Sequence, residues 1–318
     1  MKIQIINIFL LFIIFFSCKT TQKGRREVVV VSNNDTYISN FSEAGKQYEK
    51  SQIKEELFGN GKVKKRGAFV DNKPIGIHTE YDENGVILNS EIFDNQGNKE
   101  SDGLIDKNGQ KTGIWKFYFQ TGEKKAEGNY VNGKRTGKWT FYYVNGEVEQ
   151  KGSYKNGKTT DIWQWFYENG KILREGTYED GKEQGYYCEL SEIGDTISYG
   201  NYSEGMKIGN WYLHVNDHIE TGEFLSGRKN GTWKYFYILQ EKKEPEFIGT
   251  FADDMENGGF IYFYPSGTKK LQGEFSAGIP VKTWKKFDEE GNIETTTVYR
   301  NGKKYKIDGK KIKNYNED

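Results

Sequence analysis

Side chains able to do chemistry are few in this chain. It holds three histidines, His78, His214 and His218, and two cysteines, Cys18 and Cys188. His214 and His218 have a spacing seen in metal sites, but residues four apart on a strand lie about 13 Å from each other, too far for one ion. No Gly-x-x-x-x-Gly-Lys-Ser/Thr loop, Gly-x-Ser-x-Gly elbow or His-Glu-x-x-His is present. The acidic pairs Asp253–Asp254 and Glu289–Glu290 fall in turn-like sequence, where solvated charge is expected. Paired carboxylates that cleave a glycoside need a cleft between them, and nothing here predicts one. The expectation is a chain without catalytic residues, metal or cofactor, and not an enzyme.

What the sequence does supply is aromatic rings on a fixed period. Trp115, Trp139 and Trp163 stand 24 residues apart, Tyr187 takes the fourth place, and Trp211 follows 24 later. Trp233, Ile261 and Trp284 continue at intervals of 22, 28 and 23. Around each, the phrase Gly-x-Trp-x-x-Tyr recurs, as in Gly113 to Tyr118 and Gly137 to Tyr142, and it fades upstream to Gly76-Ile-His78-Thr-Glu-Tyr81. A period of this size means a repeat architecture. About ten units fit between Ser51 and Gly302, the outer ones atypical, as capping repeats usually are.

Within one unit Trp139, Phe141 and Tyr143 alternate with Thr140 and Tyr142, a strand signal. Asn145-Gly146 then predicts a type I′ hairpin turn, which needs positive φ at both central residues. A second strand, Gln150 to Tyr154, closes at Asn156-Gly157, and no length is left for a helix. Glycines inside the second strands, from Gly128 and Gly152 to Gly273, should weaken a sheet. A neighbouring indole lying across the bare backbone is the expected compensation. The predicted fold is all-β, an elongated, twisted antiparallel meander of tandem hairpins in units of 22 to 28 residues.

The phrase Gly-x-Trp-x-x-Tyr-x-x-x-Gly followed by Glu-Gly-x-Tyr-x-Asn-Gly-Lys resembles the MORN-repeat variant of bacterial proteins. It can be read in Gly113 to Lys134, Gly137 to Lys158 and Gln164 to Lys182. The resemblance implies curved or twisted hairpin meanders used as scaffolds or binding surfaces, with no catalytic residues to carry over. Asp161 and Pro280 stand for glycine and Tyr187 and Ile261 for tryptophan, departures that bear on local packing. Some relatives are described as antitoxins.

The ends read differently. Residues 1–17 form a lysine-led apolar run ending Phe15-Phe16-Ser17, too short to span a bilayer comfortably. With Cys18 it resembles a bacterial lipobox, which implies cleavage before Cys18, acylation of its thiol and a stable anchor. Lys19 after it leans toward an outer-membrane address. Residues 18–50 are a polar tether apart from the Val28 to Val31 quartet, 51–302 carry the repeats, and 303–318 are a C-terminal cap. With Cys18 lipidated, Cys188 has no disulfide partner and reads as a buried small side chain.

Composition supports an exported array. Lys plus Arg and Asp plus Glu both number 46, so the net charge is zero and argues against nucleic acid as a partner. Alternation places Tyr118, Tyr142, Phe166 and Phe236 on the face opposite the tryptophans, a candidate binding ladder. A second candidate is the row of cations after the unit-closing turns, Lys134, Lys158 and Lys182 among them. The sequence-level expectation is a lipid-anchored, non-enzymatic scaffold in the cell envelope that binds protein partners by repeated weak contacts. Its alternatives are an antitoxin or immunity protein that masks a toxin, and a binder of envelope glycan or anionic lipid.

Overall fold

A computed structural model describes residues 51–239 and 242–312, with the backbone of 27–32 and 35–40. Cys18 and the apolar leader lie outside the described residues. Glu27–Ser32 and Asp35–Asn40 pair antiparallel as a separate hairpin. The valine quartet, the exception within the polar segment, therefore lies in a strand.

From Gln52–Leu57 to Lys310–Lys311, 23 strands run as one antiparallel meander, each paired with its neighbours in sequence. No ladder among the described residues joins the first of these strands to the last, so the sheet is open. Each unit pairs a tryptophan strand, such as Lys134–Tyr142, with a glycine strand, such as Val148–Lys155. Strand pairing is local throughout, so the core is a single row of rings along one face rather than an interior between two layers.

The two edges use different turns. After the glycine strands, Asn132–Gly133 has φ of 50° and 72°, the double left-handed conformation of a type I′ turn. Asn156–Gly157, Asp180–Gly181 and Asn301–Gly302 repeat it. After the tryptophan strands the loop is longer, and the I′ assignment at Asn145–Gly146 is incorrect. Only Gly146 is left-handed, at 88°, and its N–H donates to the Tyr143 carbonyl at 3.0 Å while the Tyr143 N–H donates to Glu147 at 2.9 Å. That is a type I turn closed by a glycine bulge, with Asn145 Oδ1 accepting from the Glu147 N–H at 2.9 Å. Loop length, not the Asn-Gly dipeptide, selects between them.

Both edges carry further hydrogen bonds. The turn glycines Gly133, Gly157 and Gly181 donate to the carbonyls of Lys111, Arg135 and Thr159 at 3.0, 2.8 and 2.9 Å, extending the ladder with the directly paired preceding strand. On the opposite edge the hydroxyls of Tyr143, Tyr167 and Tyr264 reach the carbonyls of Phe166, Leu190 and Phe287 at 2.7, 2.9 and 2.8 Å. These bonds leave few backbone groups for a helix or a second layer to satisfy.

Two positions in the repeat need reassigning. The glycine of Gly-x-Trp is a left-handed bulge residue: pairing of Lys134–Tyr142 with Lys124–Val131 slips between Thr136 and Trp139, and Gly137 has φ 65°. Asp161 (60°) and Lys282 (56°) occupy the same conformation, so Lys282, not Pro280, replaces glycine before Trp284. Phe260, not Ile261, replaces tryptophan; it is 1% exposed and lies over Gly249. The doublet Gly258–Gly259 offers two frames, and Gly258, at φ 115°, is the bulge. In this frame Tyr264 takes the same edge position as Tyr143 and Tyr167.

Candidate binding surface

The repeating unit of packing is an indole on a glycine. A Cβ placed on Gly128, Gly152, Gly200, Gly222 or Gly273 would fall 2.0–2.3 Å from the ring of Trp139, Trp163, Trp211, Trp233 or Trp284 respectively, and one on Gly103 2.6 Å from Trp115. The bulge that brings the ring there also opens a carbonyl on the preceding strand. The indole N–H of Trp115, Trp139, Trp163, Trp211 and Trp233 donates to the carbonyl one residue past the glycine, at 3.0–3.2 Å. Ring, glycine and bulge thus form one device, and every tryptophan in it is buried. Between the indoles Phe117, Tyr130, Phe141 and Tyr154 make edge and tilted contacts, so the rings form a continuous stack.

A cation four residues before the tryptophan covers the exposed side of this stack. Lys111, Lys207 and Lys229 place Nζ 4.3, 4.5 and 4.4 Å from the rings of Trp115, Trp211 and Trp233, and the Arg135 guanidinium lies 4.5 Å from Trp139. Burial, with the nearby Arg135 charge, lowers the Lys111 pKa to about 8. Burial also lowers Lys207. It opposes the charge of Lys229 too, but the bonds to Glu220 and Tyr235 outweigh it and raise that pKa. These cations are packing elements, not a free ladder.

The turn lysines named from sequence are the other half of that row. Lys134, Lys158 and Lys182 are exposed. Lys158 sits 3.8 Å from Asp180 and Lys182 2.7 Å from Glu204, so the turn of the next unit supplies the counter-charge. Two of the three are thereby neutralised in place.

Tyr187 interrupts the stack. Its ring does not cover Gly176, where an added Cβ would meet Cδ2 at an ordinary 3.4 Å, and its hydroxyl donates to Glu189 at 3.0 Å. Arg174 stacks on Trp165 at 3.8 Å with a buried Nε that has no partner. Burial, reinforced by Glu183, pushes the hydroxyls of Tyr178 and Tyr202 up to about 12.

The opposite face is patterned differently. Tyr118 donates to Asp102 at 2.6 Å while Lys99, bonded to the same carboxylate at 2.8 Å, lies 4.6 Å over the ring. Tyr142, Glu127 and Lys124 repeat the arrangement one unit on, at 2.6, 2.9 and 4.5 Å. At Phe166 the hydroxyl is gone and Lys151 covers the ring at 5.0 Å. Phe236 is half-buried, in register with Ile219 and Pro245. Two of the four rings of the sequence-predicted ladder, Tyr118 and Tyr142, are therefore covered by salt bridges, and Phe166 by a lysine alone. What this face exposes are residues that sequence reasoning passed over: Ile114 (69%), Ile162 (55%) and Tyr186 (51%), each just before its tryptophan-position residue. Tyr199 stacks on Tyr212 at 5.3 Å beside them. The available signal was an apolar residue between the bulge glycine and the tryptophan.

The remaining reactive groups fall into structural roles. His78 occupies the tryptophan position, buried over Gly67, with Nε2 2.9 Å from the Ala68 carbonyl. His214 and His218 flank a two-residue turn rather than sharing a strand, and His218 lies 3.3 Å from Glu220. Among the described residues no three His, Cys, Asp or Glu side chains converge. Cys188 is free and half-buried, beside Tyr186 on the second face, rather than fully enclosed.

Residues 111–132, 135–156 and 162–180 match the MORN repeat variant family model. The matched stretches lie in the part of the array where indole, bulge glycine and I′ turn are most regular. Comparison with curated proteins gives no match. Among the matching solved structures is the Tc holotoxin pore of Photorhabdus luminescens carrying the TccC3-D651A mutation, at 12% identity and a TM-score of 0.18. The alignment covers 86% of this chain and 17% of that one. A TM-score this low defines no shared fold.

Proposed function

We propose that this chain is a non-enzymatic repeat scaffold of the bacterial cell envelope, held by an acylated Cys18 at the outer membrane, whose second face binds protein partners. The observation that carries this reading is the set of exposed apolar side chains Ile114, Ile162 and Tyr186 on one face, with Lys138 at the same place between the first two, while the tryptophan face spends its rings and cations on itself. Exposed apolar side chains beside the paired Lys99–Asp102 and Lys124–Glu127 suit a protein surface. The family-model match over three repeats supports the scaffold, since MORN repeats are generally scaffolds for protein or membrane interaction. The lipid end would fix orientation, and weak contacts along successive hairpins would sum.

The test is in-cell crosslinking with full-length protein, Cys18→Ala protein, and the triple variant Ile114→Lys, Ile162→Lys, Tyr186→Lys. A discrete crosslinked protein that is lost from both variants is the expected result. Recovery undiminished by the triple variant removes the second face as the interface, and recovery undiminished by Cys18→Ala removes the anchor.

A further inference from the structure

We infer that the C-terminal end of the tryptophan face binds a small organic anion with an apolar body, an aryl or alkyl carboxylate. A cleft of about 510 Å³ opens there between the last hairpins, walled by Tyr262, Phe275, Pro280, Trp284, Tyr299 and Ile307. Its polar groups are the hydroxyl-bearing Thr295 and Thr297 and the lysines Lys286 and Lys304, and no Asp or Glu lines it.

Three features of this unit break the pattern of the array in the same direction. The residue four before the tryptophan, a ring-covering Lys or Arg in the units of Trp115, Trp139, Trp211 and Trp233, is Pro280, which instead forms part of the wall. The Trp284 indole, 6% exposed, has a buried Nε1 with no partner, where five other indoles donate to a carbonyl. Lys304 is exposed and makes no ion pair among the described residues, unlike Lys286, which holds Glu294 at 2.7 Å.

These groups define the ligand's chemistry. Aromatic and aliphatic walls take an apolar body that water solvates poorly. Lys304, with no carboxylate lining the cleft, takes the anion by a charge-assisted hydrogen bond. Trp284 is part of the wall, and its enclosed Nε1, unlike those of the five other indoles, has no carbonyl to hold it, so its signal is the one placed to report on the cleft. A neutral sugar would use the hydroxyls and walls but not the lysine. A polyanion would meet the lysine but leave the cleft unfilled.

The experiment uses the full chain labelled with ¹⁵N at its seven tryptophans, with the Trp284 indole signal assigned by its loss in Trp284→Phe. The probe is 2-naphthoate, and 2-naphthalenemethanol is its neutral counterpart. The expected result is a saturable shift of the Trp284 signal with the other indoles unmoved. Lys304→Glu, an exposed change that keeps the other indole signals in place, and the neutral alcohol should each weaken binding roughly tenfold or more. Absence of a saturable shift at Trp284 overturns the site. Equal binding of the alcohol, or binding indifferent to Lys304→Glu, overturns the anion.

Discussion

Alanine at Gly152 and at Gly176 should have opposite consequences, although the two residues occupy the same place in successive repeats. A methyl on Gly152 would sit 2.2, 2.3 and 2.5 Å from Cδ2, Cε2 and Cγ of Trp163, so the indole must retreat by more than 1 Å to reach ordinary contact near 3.5 Å. It has nowhere to go: Nε1 is bonded to Ser153 at 3.1 Å, and Tyr154, Phe141 and Trp165 hold the ring at centroid distances of 5.1, 6.3 and 5.9 Å. Overpacking costs about 1–3 kcal/mol, and stranding the indole N–H adds about 1–3 kcal/mol. At Gly176 the nearest ring atom is Tyr187 Cδ2 at 3.4 Å. The methyl fits, and removing a strand glycine stabilises by roughly 0.5–1 kcal/mol. Urea unfolding followed by tryptophan fluorescence, paired with hydrogen exchange because repeats can open separately, should show Gly152→Ala destabilised by about 2–6 kcal/mol and Gly176→Ala at or above wild type. Equal destabilisation of both, or tolerance of both, refutes the indole-on-glycine account of the repeat.

Three further outcomes follow from the charges. Lys111, with its pKa held near 8 in the fold against 10.5 when free, disfavours the folded state while protonated, so stability should rise between pH 8 and 10.5 by at most on the order of 3 kcal/mol. Lys111→Met should flatten that rise in thermal melts, and an unchanged slope would place the titration elsewhere. Burial lowers the pKa of His78 below 6.5, so its contribution is fully present above pH 6.5 and is lost as pH falls toward the folded value. Protection factors for hydrogen exchange in residues 63–93, taken relative to the intrinsic rate at each pH, should fall on acidification, and His78→Trp, which can donate to the Ala68 carbonyl as the other indoles do, should abolish the effect. The hydrogen bond from Tyr142 and the bond to Lys124 hold the Glu127 pKa below 4.5, giving stability present above pH 4.5 and lost below it. Tyr142→Phe should cost about 1 kcal/mol at pH 7, discounted for partial exposure, and progressively less as pH falls through the folded-state pKa of Glu127.

Much of this architecture is legible in residue spacing because a repeat states its rule many times. The 24-residue interval, period-two alternation and turn glycines are enough for an all-β hairpin meander, and the strand glycines already imply a ring lying on them. Frame assignment failed where the rule is written ambiguously. At Gly258–Gly259 two glycines compete for one bulge, and at Lys282 a long side chain adopts a left-handed φ that its residue type does not announce. Exposure failed for a different reason. Alternation tells which face Tyr118 and Tyr142 take, but Asp102 and Glu127 come from the neighbouring strand, and only the register shows that they cover those rings. The same holds for the cations: Lys134 and Arg135 are adjacent in sequence, yet one is solvated and the other lies on Trp139.

The array is therefore not uniform, and its irregularities are placed where they matter. Ring contact is continuous from Trp115 through Tyr178 and resumes from Tyr187, with Arg174, Glu183 and Glu189 gathered at the break. In a quasi-one-dimensional protein each unit is stabilised mainly by its neighbours, so a polar rung between two aromatic stacks is where cooperativity is weakest. That rung also carries the exposed Tyr186 and the free Cys188 on its other face. The proposed interface thus spans both sides of the least cooperative junction in the sheet, where a bound partner could clamp two stacks that the rings alone do not connect.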